Sequence, residues 1–127
     1  MSAAVADYTP STVSDAKIKK KEDDFVLELT KTKDILKYLG TVKKPGQLLI
    51  GFALESNNEK DYALGKLNEK NADAIVMNSL KDAGAGFSHD TNKITIFEKN
   101  GKETSFELKT KTAVANDIVD KITELLG

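Results

Sequence analysis

The chain has 127 residues, 39% of them hydrophobic, and its 19 basic and 20 acidic residues leave a net charge of −1, which argues against a general nucleic-acid binder. This length predicts one compact domain or part of a larger one, and because no apolar run is long enough to cross a membrane we expect a cytoplasmic protein with no membrane partner. With no cysteine and a single histidine, the chain cannot form disulfides, thiolate metal sites or the usual histidine-based zinc and triad sites.

The beginning of the chain reads as the last part of a buried strand. Met1 to Ala6 is almost entirely apolar, and Asp7 then lies where a strand of an α/β sheet would deliver its final side chain to a cleft. Complete α/β domains seldom open on the end of an interior strand. We therefore expect residues 1–127 to form a single domain that is the C-terminal part of a larger one, whose N-terminal part is absent.

A basic run follows a loop. Tyr8 to Ala16 contains a proline and several small polar residues, which is typical of a loop. Lys17 to Lys21 is then strongly basic, and three acidic residues balance it at once. Two interpretations stay open, a solvated turn whose charges cancel or a basic arm that reaches an anion. The alternation from Phe25 to Thr30 predicts a strand.

A short helix is predicted from Lys33 to Leu39. Thr32 would cap it, Asp34 lies in its first turn, and Gly40 would stop it. Because the start of a helix presents free N–H groups, this turn can contact a phosphate or a base. An ordinary connecting helix would explain the same residues.

The stretch from Gln47 to Lys70 joins a strand to a helix. Gln47 to Leu54 is an apolar run without polar alternation, which is typical of a central parallel strand buried on both faces. Ser56, followed three residues later by Glu59, predicts a capping box that opens the helix. A strand that leads directly into a capped helix is where open α/β sheets bind ligands, so we expect the site here.

This second helix carries two lysines on one outer face. Lys66 and Lys70 lie one turn apart and repel each other slightly. Glu69 can relieve that repulsion on a solvated helix face, and a bound polyphosphate is the alternative. The side chains expected to point inward are Ala63, Leu67 and Ala72.

The second half of the chain predicts a further strand, a hairpin and a helix. Ala72 to Met77 is a second short buried strand. Asn100-Gly101, between the runs Asn92 to Glu98 and Glu103 to Lys109, is a strong hairpin signal. An apolar stripe from Thr112 to Leu126 predicts a helix packed on the sheet. Together these elements predict an α/β fold, a Rossmann-like three-layer fragment with a mainly parallel sheet, plus a C-terminal β-hairpin and helix.

Several short motifs, in order along essentially the whole chain, carry a family resemblance. They are Ala3-Ala4-Val5-Ala6-Asp7-Tyr8, Lys17-Ile18-Lys19-Lys20, Asp34-Ile35-Leu36, Gly51-Phe52-Ala53-Leu54-Glu55, Ala63-Leu64-Gly65-Lys66-Leu67-x-x-Lys70, Asp73 to Asn78, Gly84-x-Gly86-Phe87-x-x-Asp90-x-Asn92, and Lys109-Thr110-Lys111. In these motifs and their spacing the chain resembles the bacterial phosphopantothenoylcysteine synthetases, which are the phosphopantothenate–cysteine ligases of coenzyme A synthesis.

The resemblance implies a ligase that joins 4'-phosphopantothenate to cysteine in two steps. The substrate carboxylate first attacks the α-phosphate of CTP, which gives an acyl-cytidylate and pyrophosphate, and the cysteine amine then displaces CMP. Phosphoryl transfer of this kind depends on positioning and charge neutralisation. The implied partners are CTP with Mg²⁺, 4'-phosphopantothenate and cysteine, in a cytoplasmic homodimer. The ligands of the metal stay unknown.

The resemblance also implies which residues contact CTP. These are Asp7, Lys17, Lys33, Asp34, Ile35, Leu36, Phe52, Lys66 and Lys70. Asp7 would accept hydrogen bonds from the ribose or from the exocyclic amine of the base. The turn from Lys33 to Leu36 would offer backbone N–H groups, and backbone atoms at Phe52 would read the base edge. Lys17, the implied catalytic residue, would neutralise the triphosphate together with the two helix lysines.

Other features of the family are expected outside this chain. Its glycine-rich nucleotide loop and the segment tied to the acyl-cytidylate step would precede Ala3, and FMN would belong only to a fused decarboxylase domain. The segment from Lys17 to Leu29 is expected to form an arm at the dimer interface. Two alternatives stay open, a non-catalytic nucleotide-binding or dimerisation module and a relative that uses ATP.

Overall fold

The computed structural model describes residues 6–18, 26–55, 58–79 and 89–127, which divide between two compact units, Met1–Ile35 and Leu36–Gly127. In the described ranges, no helix is both long and apolar enough to span a membrane. The elements in chain order are β1 (Tyr8–Pro10), β2 (Leu29–Lys31), α1 (Ile35–Val42), β3 (Ile50–Glu55), α2 (Glu59–Glu69), β4 (Ala74–Ser79), β5 (Thr91–Asn92), β6 (Ile94–Glu98), β7 (Glu103–Ser105), β8 (Lys109–Thr110) and α3 (Lys111–Leu126).

The first unit contains a two-stranded antiparallel sheet. β1 pairs with β2 in the register that sets Tyr8 opposite Lys31. The loop predicted from Tyr8 onwards therefore begins with a strand. The strand predicted from Phe25 to Thr30 corresponds to β2, which is shorter and begins later, at Leu29. Phe25 itself lies outside the described residues.

The second unit contains a mixed four-stranded sheet in the order β3, β4, β6, β7. β3 and β4 are parallel, whereas β6 runs antiparallel to both β4 and β7. The predicted α/β class is confirmed, but the sheet is mixed rather than mainly parallel, and β3 is an edge strand of it rather than a central one. A parallel pair needs a crossover such as α2, and a tight turn can join only antiparallel strands.

The hairpin predicted at Asn100-Gly101 is confirmed as the connection between β6 and β7. Gly101 has a φ of +89°, and its N–H donates to the carbonyl of Glu98 at 2.9 Å. The predicted run from Glu103 to Lys109 is broken, since β7 ends at Ser105 and β8, which pairs with β5, begins only at Lys109.

Helices cover both faces of the sheet and enclose two cores. The core on the α2 face consists of Ala53, Ala63, Leu67, Ala72, Ile75, Met77 and Phe97. The core on the α3 face consists of Ala74, Val76, Ile94, Ile96 and Val114. Ile75 and Val76 belong to different cores because successive strand residues point to opposite faces. The predicted three-layer arrangement is confirmed.

The predicted limits of α1 are wrong at both ends. The helix begins at Ile35, and the Thr32 hydroxyl donates to the Ala6 carbonyl at 2.7 Å instead of capping the helix. Gly40 lies inside the helix, where it is buried, so it does not act as a stop. Gly40 is required there by packing, because a Cβ at this position would lie 1.8 Å from the carbonyl oxygen of Lys70.

The predicted capping box of α2 is also wrong. The helix begins at Glu59 itself, after Asn58, which has a left-handed φ of 48° and makes no side-chain cap. Glu59 is therefore the first helical residue and not the third, and Ser56 lies outside the described residues. The predicted inward residues Ala63, Leu67 and Ala72 are confirmed, since all three are buried.

Candidate functional site

Two of the predicted site segments lie side by side in the first unit. The carbonyl of Asp7 accepts the N–H of Thr32 at 2.9 Å, and the Thr32 hydroxyl fixes the preceding carbonyl of Ala6. This pairing brings the main chain at Asp7 against the turn that begins with Lys33 and Asp34. All three predicted side chains, Asp7, Lys33 and Asp34, are exposed.

Lys17 lies in the exposed loop that follows β1. Its neighbour Ile18 lines an open groove of about 460 Å³, which residues 11–14 and 26–28 also line. The exposed ammonium group of Lys17 can meet an anion from solvent. The rest of the predicted basic arm, Lys19 to Lys21, lies outside the described residues.

The remaining residues of the predicted turn, Ile35 and Leu36, form the first turn of α1. N–H groups at the start of a helix have no partner within it and can donate to a ligand. Leu36 packs on β3 at Gly51, where a Cβ would lie 2.7 Å from both Leu36 Cδ2 and Ile75 Cδ1. A larger residue would make the ends of these two side chains shift, so the glycine lets the start of α1 pack closely over the strand.

Phe52 presents its main chain to the open edge of β3. The carbonyl of Leu49 accepts the N–H of Asp73 at 2.8 Å, so the backbone groups of Leu49 point towards β4. Backbone groups alternate in direction along a strand, and those of Phe52 therefore point away from β4. No other strand of the described sheet pairs at that edge. The predicted reading of a base edge by the Phe52 backbone is geometrically possible, although Phe52 is 63% exposed and not buried as the apolar run suggested.

The two predicted lysines of α2 lie at the end of that helix, where Lys66 is in the last turn and Lys70 is the C-cap residue. Glu69 Oε1 accepts hydrogen bonds from Lys70 Nζ at 2.9 Å and from Lys37 Nζ of α1 at 3.3 Å. The hydrogen bond from Lys70, followed by that from Lys37, lowers the pKa of the Glu69 carboxyl. Glu69 thus binds Lys70 of the predicted pair and also Lys37 of α1.

The sheet divides the predicted contacts of the second unit between its two faces. The side chain of Phe52 shares a face with that of its partner Val76 in the core beneath α3. Leu36 and the lysines of α2 belong to the opposite face. The structure therefore brings Leu36, Lys66 and Lys70 to one side and leaves the ring of Phe52 on the other. Only the backbone of Phe52, which lies in the plane of the sheet, is open to a ligand at the strand edge.

We call Lys37, Lys66 and Lys70, together with Glu69, the cation cluster. Sequence reasoning missed two residues that shape it, Lys37 and Asn71. Lys37 meets Glu69 across 32 sequence positions, so no local spacing could reveal the pair. Asn71 follows α2 with a left-handed φ of 50°. An asparagine directly after a predicted helix is a usable signal, because left-handed residues commonly end helices.

A partly buried ion pair fixes the start of β3. Lys43 Nζ donates to both carboxylate oxygens of Asp73, at 2.9 and 2.8 Å, and the N–H of Leu49 donates to the same carboxylate at 2.7 Å. Burial raises the pKa of Asp73, but the hydrogen bonds from Lys43 and Leu49 outweigh it and leave that pKa lowered. This charged carboxylate is structural, since its oxygens are already bound by the chain itself.

Comparison with known proteins shows which sequences this chain is similar to. The model of the DNA/pantothenate metabolism flavoprotein C-terminal domain matches residues 1–126. A relative from an unknown prokaryotic organism, named cysteine/cysteine sulfinic acid decarboxylase, is 54% identical over 126 residues, which are 99% of this chain and 35% of the relative. The coenzyme A biosynthesis bifunctional protein CoaBC of Bacillus subtilis (strain 168) is 48% identical over 123 residues, 97% of this chain and 30% of the relative. The chain spans about a third of the length of these curated relatives.

Solved structures show the same fold. The crystal structure of the C-terminal domain of a coenzyme A biosynthesis bifunctional protein CoaBC superposes with a TM-score of 0.74 at 43% identity, covering 98% of this chain and 52% of that one. The DNA/pantothenate metabolism flavoprotein from Streptococcus pneumoniae superposes with a TM-score of 0.70 at 26% identity, covering 96% of this chain and 60% of that one.

Proposed function

The chain belongs to the family of DNA/pantothenate metabolism flavoprotein C-terminal domains, and from this premise we propose that it supplies the nucleotide site of a CTP-dependent phosphopantothenate–cysteine ligase in coenzyme A biosynthesis. The similarity to bifunctional CoaBC proteins supports this proposal. Because those relatives are about three times as long as this chain, the proposed activity belongs to a protein of their length. An N-terminal part of the synthetase domain would then supply the remaining catalytic groups.

The observation that carries the proposal is the cation cluster at the end of α2. One carboxylate oxygen of Glu69 already binds the ammonium groups of Lys37 and Lys70, and Lys66 lies one turn before Lys70 on the same helix. Oxygen atoms of a triphosphate are anionic acceptors of the same kind as that carboxylate oxygen. The cluster also adjoins the core on which the first turn of α1 packs through Leu36. A polyphosphate bound there would meet both lysine side chains and backbone N–H groups.

In the proposed reaction the described residues position CTP and neutralise charge. An oxygen of the phosphopantothenate carboxylate bonds to the α-phosphorus of CTP, and the bond from that phosphorus to the β-phosphate oxygen breaks, so pyrophosphate leaves. The cysteine amine then attacks the acyl carbon, loses a proton and expels CMP. Lys17, Lys66 and Lys70 would stabilise the charge that develops on the phosphates, while Asp7 and the Phe52 backbone would hold the nucleoside.

Mg²⁺ would enter this site with the nucleotide. In the part of the chain that the structure describes, no group of three or more acidic or histidine side chains could hold a metal ion. These residues therefore do not form a protein cage for the ion, and no step of the proposal is assigned to it. FMN would likewise belong to a fused domain and not to these residues.

The proposal is tested by removing single lysines from the full-length protein. Lys17→Ala and Lys66→Ala should each remove a charge-assisted hydrogen bond worth about 1.5–3 kcal/mol, which weakens CTP binding about tenfold or more. Lys102→Ala is the matched control, because it removes the same charge from the hairpin, where Lys102 binds Glu124 at 2.7 Å. CTP titration followed by calorimetry measures the effect. An unchanged affinity for CTP in both variants would show that Lys17 and Lys66 are ordinary solvent-exposed residues that do not bind the nucleotide.

A second candidate function comes from the relative named cysteine/cysteine sulfinic acid decarboxylase, which shares 54% identity with this chain. A protein with that activity would release CO₂ from cysteine or its sulfinate without CTP. The proposed ligase would instead release pyrophosphate only when CTP, 4'-phosphopantothenate and cysteine are all present. Running both assays on the full-length protein separates the two, and substituting ATP for CTP tests the ATP-using alternative. A protein that binds CTP but does neither would be a nucleotide-binding module.

We also propose that the full-length protein is a cytoplasmic homodimer with an arm, Lys17 to Leu29, at its interface. The family resemblance and the exposure of the described residues before β2, 11–18 and 26–28, support this proposal. Light scattering that shows a monomer at every practical concentration would exclude it.

A further inference from the structure

The ends of α1 and α2 touch through their main chains at Gly40. This residue is buried inside α1, and a Cβ built on it would lie 1.8 Å from the carbonyl oxygen of Lys70. No side chain fits between the two helices at this point, so only glycine permits the contact. Lys70, which the proposed function assigns to the triphosphate, is therefore held against α1 by its own main chain.

Asn71, the next residue after Lys70, stabilises this contact with a side-chain hydrogen bond. Its Nδ2 donates to the carbonyl of Gly40 at 2.9 Å. Carbonyls in the last turn of a helix have no partner within the helix, so the amide of Asn71 caps α1. Asn71 is itself held from two other directions, because its Oδ1 accepts from Lys99 Nζ at 2.8 Å and its carbonyl accepts from Lys43 Nζ at 3.0 Å.

Glu69, the other sequence neighbour of Lys70, also binds α1. It accepts hydrogen bonds from Lys37 of α1 and from Lys70 itself. Lys70 is thus flanked in sequence by two residues that both bind α1. The side chain of Lys70 is only 14% exposed, so the position of its Nζ depends on these neighbours rather than on free rotation in solvent.

We propose that Asn71 is a positioning residue of the nucleotide site, which fixes Lys70 relative to the first turn of α1 by capping that helix at Gly40. The inference rests on the proposed function, in which Lys70 and that turn bind the same CTP molecule. Asn71 need not touch the nucleotide. Misplacing reactive groups by about 1 Å can slow a reaction about 100-fold. A contact that holds the two helices rigidly together therefore suits this role.

The test uses two substitutions of Asn71 in the full-length protein. Asn71→Asp keeps the tolerance for a left-handed φ and the acceptor for Lys99, but it replaces the donor to Gly40 with a second acceptor. Asn71→Gly also accepts the left-handed φ and adds no charge, so it controls for repulsion between a new carboxylate and the triphosphate. Both variants should raise the KM for CTP about tenfold, while the KM values for 4'-phosphopantothenate and cysteine stay unchanged.

Two further variants separate positioning from simple loss of stability. Val114→Ala removes buried methyl groups from the core beneath α3, on the opposite face of the sheet from α2, so it should lower the melting temperature and leave the KM for CTP unchanged. In a double-mutant cycle, Lys70→Ala should abolish the effect of Asn71→Asp on the KM for CTP, because Asn71 acts through Lys70.

The outcomes distinguish a failure of the positioning role from a failure of the proposed function. A KM for CTP that is unchanged in Asn71→Asp and Asn71→Gly, or an effect of Asn71→Asp that persists in full on the Lys70→Ala background, would overturn the positioning role alone. A wild-type protein that neither binds nor consumes CTP would overturn the proposed function and this inference with it.

Discussion

Two glycines in neighbouring helices show how strongly the environment decides the role of a residue. Gly40 in α1 meets the carbonyl oxygen of Lys70, whereas Gly65 in α2 is exposed and has no atom within 4 Å of the place where a Cβ would be. From sequence alone both are glycines in a helical pattern, and Gly40 was interpreted as a helix stop. The difference between them arises only when the two helices pack.

The pair predicts opposite effects of the same substitution. Gly40→Ala should destabilise the chain by about 1–3 kcal/mol, because the new methyl group forces a backbone to move. Gly65→Ala should stabilise it by about 0.5–1 kcal/mol, because alanine loses less backbone freedom on folding and a helix tolerates it. Urea denaturation of the two variants measures both free energies of unfolding. A Gly40→Ala variant as stable as the wild type would contradict the close contact with Lys70.

At the scale of elements, local signals predicted structure well. The Asn100-Gly101 turn correctly predicted the hairpin, and the apolar stripe from Thr112 to Leu126 correctly predicted α3. Both signals are local, because turn chemistry and helical periodicity act over a few residues. The limits of α1 and the edge position of β3 depend on partners far away in sequence, and the prediction was wrong there. The candidate site divides in the same way. The i, i+4 spacing of Lys66 and Lys70 was visible, whereas the link from Glu69 to Lys37 was not.

A buried ion pair joins two of these elements. Glu98, at the end of β6, is 2% exposed, and Lys121 of α3 is 7% exposed. Their side chains lie 3.2 Å apart, and Lys121 also binds Glu124 at 2.5 Å. Because Glu98 is almost completely removed from water, its charge depends on Lys121 for compensation.

Lys121→Met should therefore destabilise the chain by about 3–5 kcal/mol, because it leaves the Glu98 carboxylate buried without its counter-charge. The double variant Glu98→Met with Lys121→Met should recover most of that loss, since a buried pair can often be replaced by apolar residues of similar volume. Guanidinium denaturation of the single and double variants measures both values. A loss below about 1 kcal/mol in the single variant would show that water, or the Asn100 amide that donates to Glu98 Oε2 at 3.2 Å, is enough to stabilise the buried charge.

At the scale of the whole molecule, folding and activity should separate. The two cores on either side of the four-stranded sheet give Leu36–Gly127 the means to fold. The proposed reaction also needs groups aimed at the charge of the acyl-cytidylate, and the relatives that support the proposal are about three times as long as this chain. Within the described residues no strand pairs with the outer edge of β3, so that edge, with the exposed Phe52, can associate with another chain.

We therefore expect the isolated chain to unfold cooperatively in urea but to release no pyrophosphate from CTP in the presence of 4'-phosphopantothenate. A missing set of donors should cost far more than the roughly 100-fold loss that follows from misplacing one group by an ångström. Adding the remaining part of the synthetase domain as a separate polypeptide should restore some turnover, and the same addition to a Lys17→Ala chain should restore much less. This comparison separates the absence of catalytic groups from a failure to fold, because both chains have the same core. Robust pyrophosphate release by the isolated chain would show that its own residues suffice for the chemistry, and the proposed division of catalytic groups would then be wrong.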